Sequence, residues 1–199
     1  MAGVNPADGR PVWYDEDGNF TYSTGSDDNR ILGSYLPDYY GGFQNTLSYG
    51  PFTLDAFFQF EVGSDVMNTT YSSFLRAPWR ERALVREVLD RWQEPGDVTH
   101  IPMAYPNSGI RGAQSWTAGM SNMRLQNGSY VRLKNVQFSY DIPSRLAEPL
   151  RLRGASIFVQ GENLYTWTAF KGVDPEVVST HQADYPQPMT VTGGINIEF

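Results

Sequence analysis

Apolar and polar residues alternate along five segments of the chain, and each alternation predicts a β-strand with one apolar and one polar face. The five segments are residues 39–49, 52–62, 129–141, 155–167 and 190–199. Between the first two segments, Gly50 and Pro51 leave room only for a tight hairpin. The sequence therefore predicts an antiparallel sheet whose first two strands are neighbours.

The alternation in residues 129–141 changes phase midway. Val131 and Leu133 share one phase, whereas the later apolar residues Val136, Phe138 and Tyr140 share the other. A β-bulge inserts one extra residue into a strand and produces such a change. We therefore expect a bulge near residues 134–135.

The connections between these segments alternate in length. Residues 50–51 and 142–154 form short connections, whereas residues 63–128 and 168–189 form long ones. This order is typical of transmembrane β-barrels, which have short periplasmic turns and long external loops, whereas a soluble β-sandwich usually keeps its loops shorter and more even. If the end of the chain is on the periplasmic side, the two long connections and residues 1–38 lie on the external side of the membrane.

The long segment 63–128 contains one predicted helix, around residues 78–92. Leu84, Val88 and Trp92 recur at four-residue spacing, and residues 94–96 (Glu-Pro-Gly) end the pattern. We expect this apolar stripe to pack within the loop itself.

A small hairpin is predicted near the start of the chain. Aromatic pairs at 13–14 and 20–22 flank residues 15–19, which contain an Asp-Gly turn. The carboxylates of this turn also suggest a calcium loop, but the later Glu of an EF-hand is missing, and the plain turn is favoured.

Composition supports an all-β chain with long loops. Of the 199 residues, 40% are hydrophobic, 19% charged and 14% aromatic, with 19 Gly and 13 Pro. The net charge of -7 argues against nucleic-acid binding, which requires a basic surface. The absence of cysteine excludes a disulfide framework, a thiolate metal site and a cysteine nucleophile.

An enzyme is one possible function of the chain, and the sequence gives this possibility little support. His100 and His181 are isolated, without an HExxH pattern or a second ligand at useful spacing. No pair of carboxylates stands out for glycoside hydrolysis. We therefore predict no catalytic residue, no metal site and no cofactor.

A membrane barrel requires more chain than is present. The first ten residues lack the basic start and apolar stretch of a secretion signal, and no apolar run approaches the roughly 18 residues of a membrane helix. Because the smallest membrane barrels have about eight strands, five strands do not close one. We therefore expect the chain to be the last part of a longer protein.

The last strand carries the first resemblance to known proteins. Its ten residues are about the length that a tilted strand needs to cross a bilayer, and the chain stops on an aromatic residue. This pattern resembles the C-terminal strand of bacterial outer-membrane barrels, which the barrel-insertion machinery reads. The resemblance implies an assembly signal formed by Val191, Gly193, Ile195, Ile197 and Phe199.

Several motifs, in order along the chain, resemble the SusC/RagA family of TonB-dependent outer-membrane transporters. One is NGSYVRLKNV at residues 127–136, close to the family's DGSYLRLKNV, with Asn127 in place of the usual Asp. The others are residues 30–43, 57–60, 88–92, 160–166, 172–177 and 185–188. The resemblance implies the last five strands of a plugged barrel of the 22-stranded type, with the plug, the TonB box, the signal peptide and the earlier strands outside this sequence.

The family resemblance also implies a function. Its members import oligosaccharides or peptides across the outer membrane of Gram-negative bacteria, with a SusD-like surface lipoprotein as lid and the TonB complex as energy source. Lumen-facing candidates are Gln44, Thr46, Asp55, Gln59, Glu61, Gln160 and Glu162. Loop aromatics that would contact substrate or lid are Trp79, Trp92, Trp116, Tyr165, Trp167 and Tyr185.

Less specific roles remain open for these residues. The polar residues could serve only to hydrate the lumen, and the aromatic residues could anchor the protein at the membrane interface or pack within loops. The alternative function is a soluble carbohydrate-binding β-sandwich, in which the apolar faces of the strands would form a core.

Overall fold

The computed structural model describes residues 1–75, 83–104, 121–176 and 185–199. The chain divides into two compact units. The sheet unit comprises Ser34–Asp65, Asn127–Val177 and Tyr185–Phe199, and the loop unit comprises Met1–Gly33, Val66–Gln126 and Val178–Asp184.

Most of the secondary-structure elements in the described residues are strands, as the composition predicts. The strands are β1 (Gly3–Val4), β2 (Pro11–Tyr14), β3 (Phe20–Thr21), β4 (Tyr39–Tyr49), β5 (Phe52–Val62), β6 (Asp65–Met67), β7 (Leu125–Asn127), β8 (Tyr130–Asp141), β9 (Gly154–Thr168) and β10 (Thr190–Glu198). The helices are α1 (Thr69–Leu75), α2 (Ser144–Ala147) and two 3-10 turns, Arg86–Asp90 and Glu148–Leu150. None of the helices in these described ranges is long and apolar enough to cross a membrane.

Five long strands form one antiparallel sheet in the order β4-β5-β8-β9-β10. All five predicted strands are confirmed, with ends that agree to within one residue. Gly50 in the β4–β5 hairpin has a φ of 56°, which explains why the two-residue turn needs a glycine there. The sheet is open, with β4 and β10 at its edges.

The predicted bulge in β8 is confirmed. The pairing of β5 with β8 steps from Phe57 opposite Asn135 to Phe58 opposite Leu133, so Lys134 is the extra residue. The bulge brings the two phases of the alternation onto one face. Apolar residues of β5 now lie opposite Val131, Leu133, Val136, Phe138 and Tyr140. The bulge also places Lys134 beside Arg132 and Asn135 on the other face.

Cross-strand partners share a face of the sheet, and their rows separate polar from apolar residues. One row reads Thr46, Asp55, Gln137, Gln160 and Thr192. The next row reads Leu47, Leu54, Phe138, Val159 and Gly193. We call the two sides the polar face and the apolar face.

The two ends of the sheet differ in their connections. The hairpin at Gly50 and the short connection that contains α2 lie at one end, where β10 also finishes. The long connections leave the opposite end. The alternation of short and long connections predicted from the sequence is therefore present.

The loop unit has a small hydrophobic core of its own. Buried Trp13, Leu75, Val88 and Ile101 form its centre, and the partly buried Met1, Tyr71, Val85 and Met123 pack around them. The predicted hairpin is confirmed as β2 and β3, with Gly18 at a φ of 86° in the turn. The Asp15 carboxylate accepts hydrogen bonds from Asn19, 2.7 Å from its backbone nitrogen, which supports the plain turn.

The prediction of one helix around residues 78–92 is wrong over its described part. Residues 83–92 contain only the 3-10 turn Arg86–Asp90, with extended backbone on both sides at Val85 and Arg91; residues 78–82 lie outside the described ranges. Val88 instead packs against side chains far away in the sequence, and this tertiary packing decides the local backbone. In the described part of this segment the α-helix is α1, where the Asn68 side chain caps the first turn through the backbone N–H of Tyr71.

Candidate functional site

The polar face carries all seven residues predicted to face a lumen. The pairing register places Gln44, Thr46, Asp55, Gln59, Glu61, Gln160 and Glu162 on this side of the sheet. Asp55 accepts hydrogen bonds from Thr46 at 2.5 Å and from Gln44 at 3.0 Å. Gln160 donates to Glu162 at 3.1 Å. These residues therefore form a hydrogen-bonded polar surface, and their role in a lumen stays a prediction.

The apolar face is exposed. Phe43, Leu47, Val159 and Ile195 each expose about half or more of their side-chain surface. Among the residues of the predicted assembly signal, Val191, Gly193, Ile195 and Ile197 lie on this face by register, and Phe199 follows the strand. A water-soluble domain rarely exposes so large an apolar surface.

Two groups of aromatic rings border the apolar face. Near the short turns, Phe52 lies 5.8 Å from Phe138 and 5.0 Å from Tyr140, measured between ring centroids. Toward the long connections, Trp167 lies 6.4 Å from Phe58 and 4.8 Å from Tyr165. Between them lies one row of small or mostly aliphatic residues: Asn45, Ala56, Val136, Gly161 and Val191.

The placement of Tyr165 and Trp167 in an external loop is wrong. Both lie within β9, which continues to Thr168, and both are on the apolar face. Trp92 packs inside the loop unit, where its indole N–H donates to the Pro6 carbonyl at 2.9 Å. Tyr185 is 91% exposed. Trp79 and Trp116 lie outside the described residues.

A cluster of charged side chains lies on the polar face at the end from which the long connections leave. We call it the Arg132 cluster; it consists of Arg132, Lys134, Asp174 and Glu176. Arg132 is 2% exposed and donates from Nη2 to Asp174, from Nη1 to Glu176 at 2.7 Å and from Nε to Thr166 at 2.9 Å. Lys134 donates to Glu176 at 2.9 Å. A buried guanidinium is tolerated here because its donors are directed at two carboxylates and a hydroxyl.

Asp174 links the two described parts of the β9–β10 connection, residues 169–176 and residues 185–189. Its Oδ1 accepts the backbone N–H of Glu176 at 3.0 Å, and its Oδ2 accepts that of Gln187 at 3.1 Å. Burial alone would raise the pKa of this carboxyl, but the bonds from Arg132 and from these backbone groups lower the pKa below its ordinary 3.8. Asp174 therefore stabilises the fold above about pH 3.8, and this contribution is lost as the pH falls through the lowered pKa.

The Arg132 cluster is not predicted by the sequence pattern, although both halves of the cluster lie in motifs that resemble those of the family. Arg132 and Lys134 are in residues 127–136, and their acidic partners are in residues 172–177. Two cations at alternate positions of one strand were the available signal. Within the described ranges, no group of three or more His, Asp or Glu residues could hold a metal ion.

The predicted assembly signal gives a direct test at Phe199. We expect Phe199→Asp in the native protein to lower surface-exposed protein several-fold without changing its synthesis, because the terminal aromatic would no longer be available to the insertion machinery. Phe199→Tyr, which keeps the ring, is the matched control. Surface labelling compared with total protein on a blot is the measurement, and equal surface levels for both variants would contradict the assignment.

Comparisons with known proteins give consistent relatives. No family model matches the chain. It is 32% identical over 206 residues to TonB-dependent receptor P26 of Formosa agariphila, and the match covers 96% of this chain and 20% of the relative. It is 24% identical to TonB-dependent receptor SusC of Bacteroides thetaiotaomicron, over 98% of this chain and 18% of the relative.

Solved structures agree with these relatives. The RagAB peptide importer in its open-open state matches 100% of this chain with a TM-score of 0.81 and 28% identity, and the match covers 21% of the importer chain. A further structure of the RagAB peptide transporter matches with a TM-score of 0.81 and 27% identity. The chain therefore spans about a fifth of the length of the proteins it matches.

Proposed function

Because the chain belongs to the SusC/RagA type of TonB-dependent receptors, as a segment of about a fifth of their length, we propose that it forms five wall strands of an outer-membrane importer. In this proposal the apolar face contacts lipid, the polar face lines the lumen, and the long connections lie outside the cell. The observation that carries it is the exposed apolar face with its two bordering groups of aromatic rings. Membrane barrels present such an apolar band, flanked by aromatic residues at both interfaces.

Strand length supports the same assignment. β4 and β5 each have 11 residues, β8 has 12 and β10 has 9. A tilted strand needs about 9–11 residues to cross the hydrocarbon core of a bilayer. Each of these strands is therefore long enough to cross once.

The open edges of the sheet also fit a wall segment. An exposed edge strand presents unpaired backbone groups, which are not tolerated in lipid. In the proposed assembly β4 and β10 pair with strands outside this chain, so the barrel closes and both edges disappear. The charged residues Asp55, Glu61 and Glu162 then face water or the plug, where charge is tolerated.

The relatives suggest a substrate class and partners. RagAB is a peptide importer, and SusC is a TonB-dependent receptor. We propose that the complete protein imports oligosaccharides or peptides, with a SusD-like lipoprotein over its outer mouth. Energy would come from the TonB complex through parts outside this chain, and the mechanism would be binding and gating without bond chemistry.

The soluble β-sandwich is the weaker alternative. A sandwich buries one face of each sheet against the other. In the sheet unit the polar face carries the buried charges, whereas Leu47, Val159 and Ile195 remain exposed on the other side. This distribution favours lipid contact over a soluble core.

The native protein provides the test. An antibody against residues 83–94 is used to blot the outer-membrane and soluble fractions of the source cells, with heated and unheated samples. We expect a band in the outer membrane, several-fold heavier than 22.4 kDa, that shifts on heating because folded barrels migrate differently. A soluble band at 22.4 kDa would support the sandwich instead.

A further inference from the structure

The connection between β9 and β10 begins with a segment that lies against the polar face. We call residues 172–176 the strap. Asp174 and Pro175 are buried and Glu176 is half-buried, whereas Val173 is 72% exposed. The strap therefore has one side toward the sheet and one side away from it.

Hydrogen bonds from Arg132 hold the sheet-facing side of the strap. Two of the guanidinium nitrogens donate to the two strap carboxylates, and Thr166 of β9 accepts from the third. Gln59 of β5 and Lys134 of β8 also donate to Glu176, at 3.4 and 2.9 Å. The strap thus contacts two neighbouring strands, β5 and β8, through polar groups.

Little apolar surface supports the strap. Among its five residues only Pro175 buries an apolar side chain, and the exposed Val173 adds nothing. Apolar burial normally supplies most of the stability of a packed segment. A segment held chiefly by hydrogen bonds and ion pairs has instead a specified position with low local stability.

We propose that the strap is a gating segment, which Arg132 holds closed against the polar face and which opens as a unit when those bonds break. The inference rests on the proposed function, since the closed strap narrows a lumen only if the polar face lines one. Asp174 also accepts the backbone N–H of Gln187, which lies shortly before β10. Breaking the bond between Asp174 and Arg132 therefore frees the strap and the residues around Gln187 together. Arg132 acts in this proposal as a positioning residue.

The chain contains no cysteine, so single thiols can report the state of the strap. Pro175→Cys places a thiol at a buried position that takes no part in the ion pairs, and Val173→Cys places one at an exposed position. Cells that produce the complete protein are treated with a maleimide coupled to polyethylene glycol, which does not cross the outer membrane. The labelling rate is read from the mobility shift.

With Arg132 in place, we expect the thiol of Pro175→Cys to label slowly. Addition of Arg132→Gln should raise its labelling rate at least tenfold, and Asp174→Asn should act in the same direction. Val173→Cys should label rapidly in every background. Lys134→Gln should change the rate less than twofold, because Glu176 keeps its bond to Arg132.

Assembly of each variant is measured in parallel by its heat-dependent mobility in the outer membrane. If Arg132→Gln fails to assemble, Asp174→Asn carries the test, because it leaves the strand residue intact. If Pro175→Cys labels at the same rate with and without the Arg132 bonds in assembled protein, the gating role of the strap is contradicted. The proposed function is not affected by that result. Absence of the native protein from the outer membrane would overturn the proposed function itself.

Discussion

Val159→Arg in the native protein is expected to lower folding stability by about 1–3 kcal/mol, between the cost of a cation at an interface and its cost at the bilayer midplane. Val159 lies on the apolar face of β9, between Phe138 of β8 and Gly193 of β10, in the row where the aromatic group near the short turns ends. The new guanidinium would be in hydrocarbon without a partner. Surface-exposed protein should fall at least tenfold, measured by surface labelling.

Gln160→Arg is the matched control for this prediction. It introduces the same side chain one residue later in the same strand, on the polar face and next to Glu162. We expect near-native surface levels for this variant. Equal loss in both variants would mean that β9 does not tolerate arginine on either side, and the assignment of the apolar face to lipid would lose its support.

Arg132→Met is expected to destabilise the protein by at most about 3–5 kcal/mol, because the Asp174 carboxylate must either stay buried without its partner or leave its site with the strap. Asp174 is 6% exposed, and the thioether side chain of the variant would supply no hydrogen-bond donor to it. Urea unfolding of the purified protein in detergent, followed by heat-dependent mobility, is the measurement.

The double variant Arg132→Met/Asp174→Asn separates the ion pair from packing. If the loss arises from the unpaired carboxylate, the double variant should be more stable than Arg132→Met alone. Asp174→Asn alone is expected to be destabilised as well, because the guanidinium then remains buried with one carboxylate fewer. Additive losses from the two single changes would contradict direct coupling between these side chains.

The strands could be predicted from the sequence because their signal is local. Alternation over residues 52–62 specifies both faces of β5, and the change of phase in residues 129–141 locates the bulge to within one residue. Each conclusion requires only the side chains of a single strand and the two-residue period of its backbone. The polar face followed from the same period.

The Arg132 cluster and the loop unit depend on contacts between distant parts of the chain. Asp174 is 42 residues from Arg132, and only the folding of the β9–β10 connection brings them together. In the loop unit, Val88 packs with Trp13, Leu75 and Ile101, so a four-residue spacing that predicts an α-helix ends as a 3-10 turn. Periodicity carries no information about such distant partners.

The orientation of the sheet in the membrane is the central claim, and a spin-label scan along β10 tests it most directly. Single cysteines at residues 190–197 of the complete protein, reconstituted in lipid, are labelled with a nitroxide, and its collisions with oxygen and with a water-soluble nickel chelate are measured. We predict that labels at Val191, Gly193, Ile195 and Ile197 collide with oxygen, and that those at Thr192, Gly194 and Asn196 collide with nickel. Nickel access on both sides, or labels at the apolar positions shielded from both reagents as in a soluble core, would contradict the account.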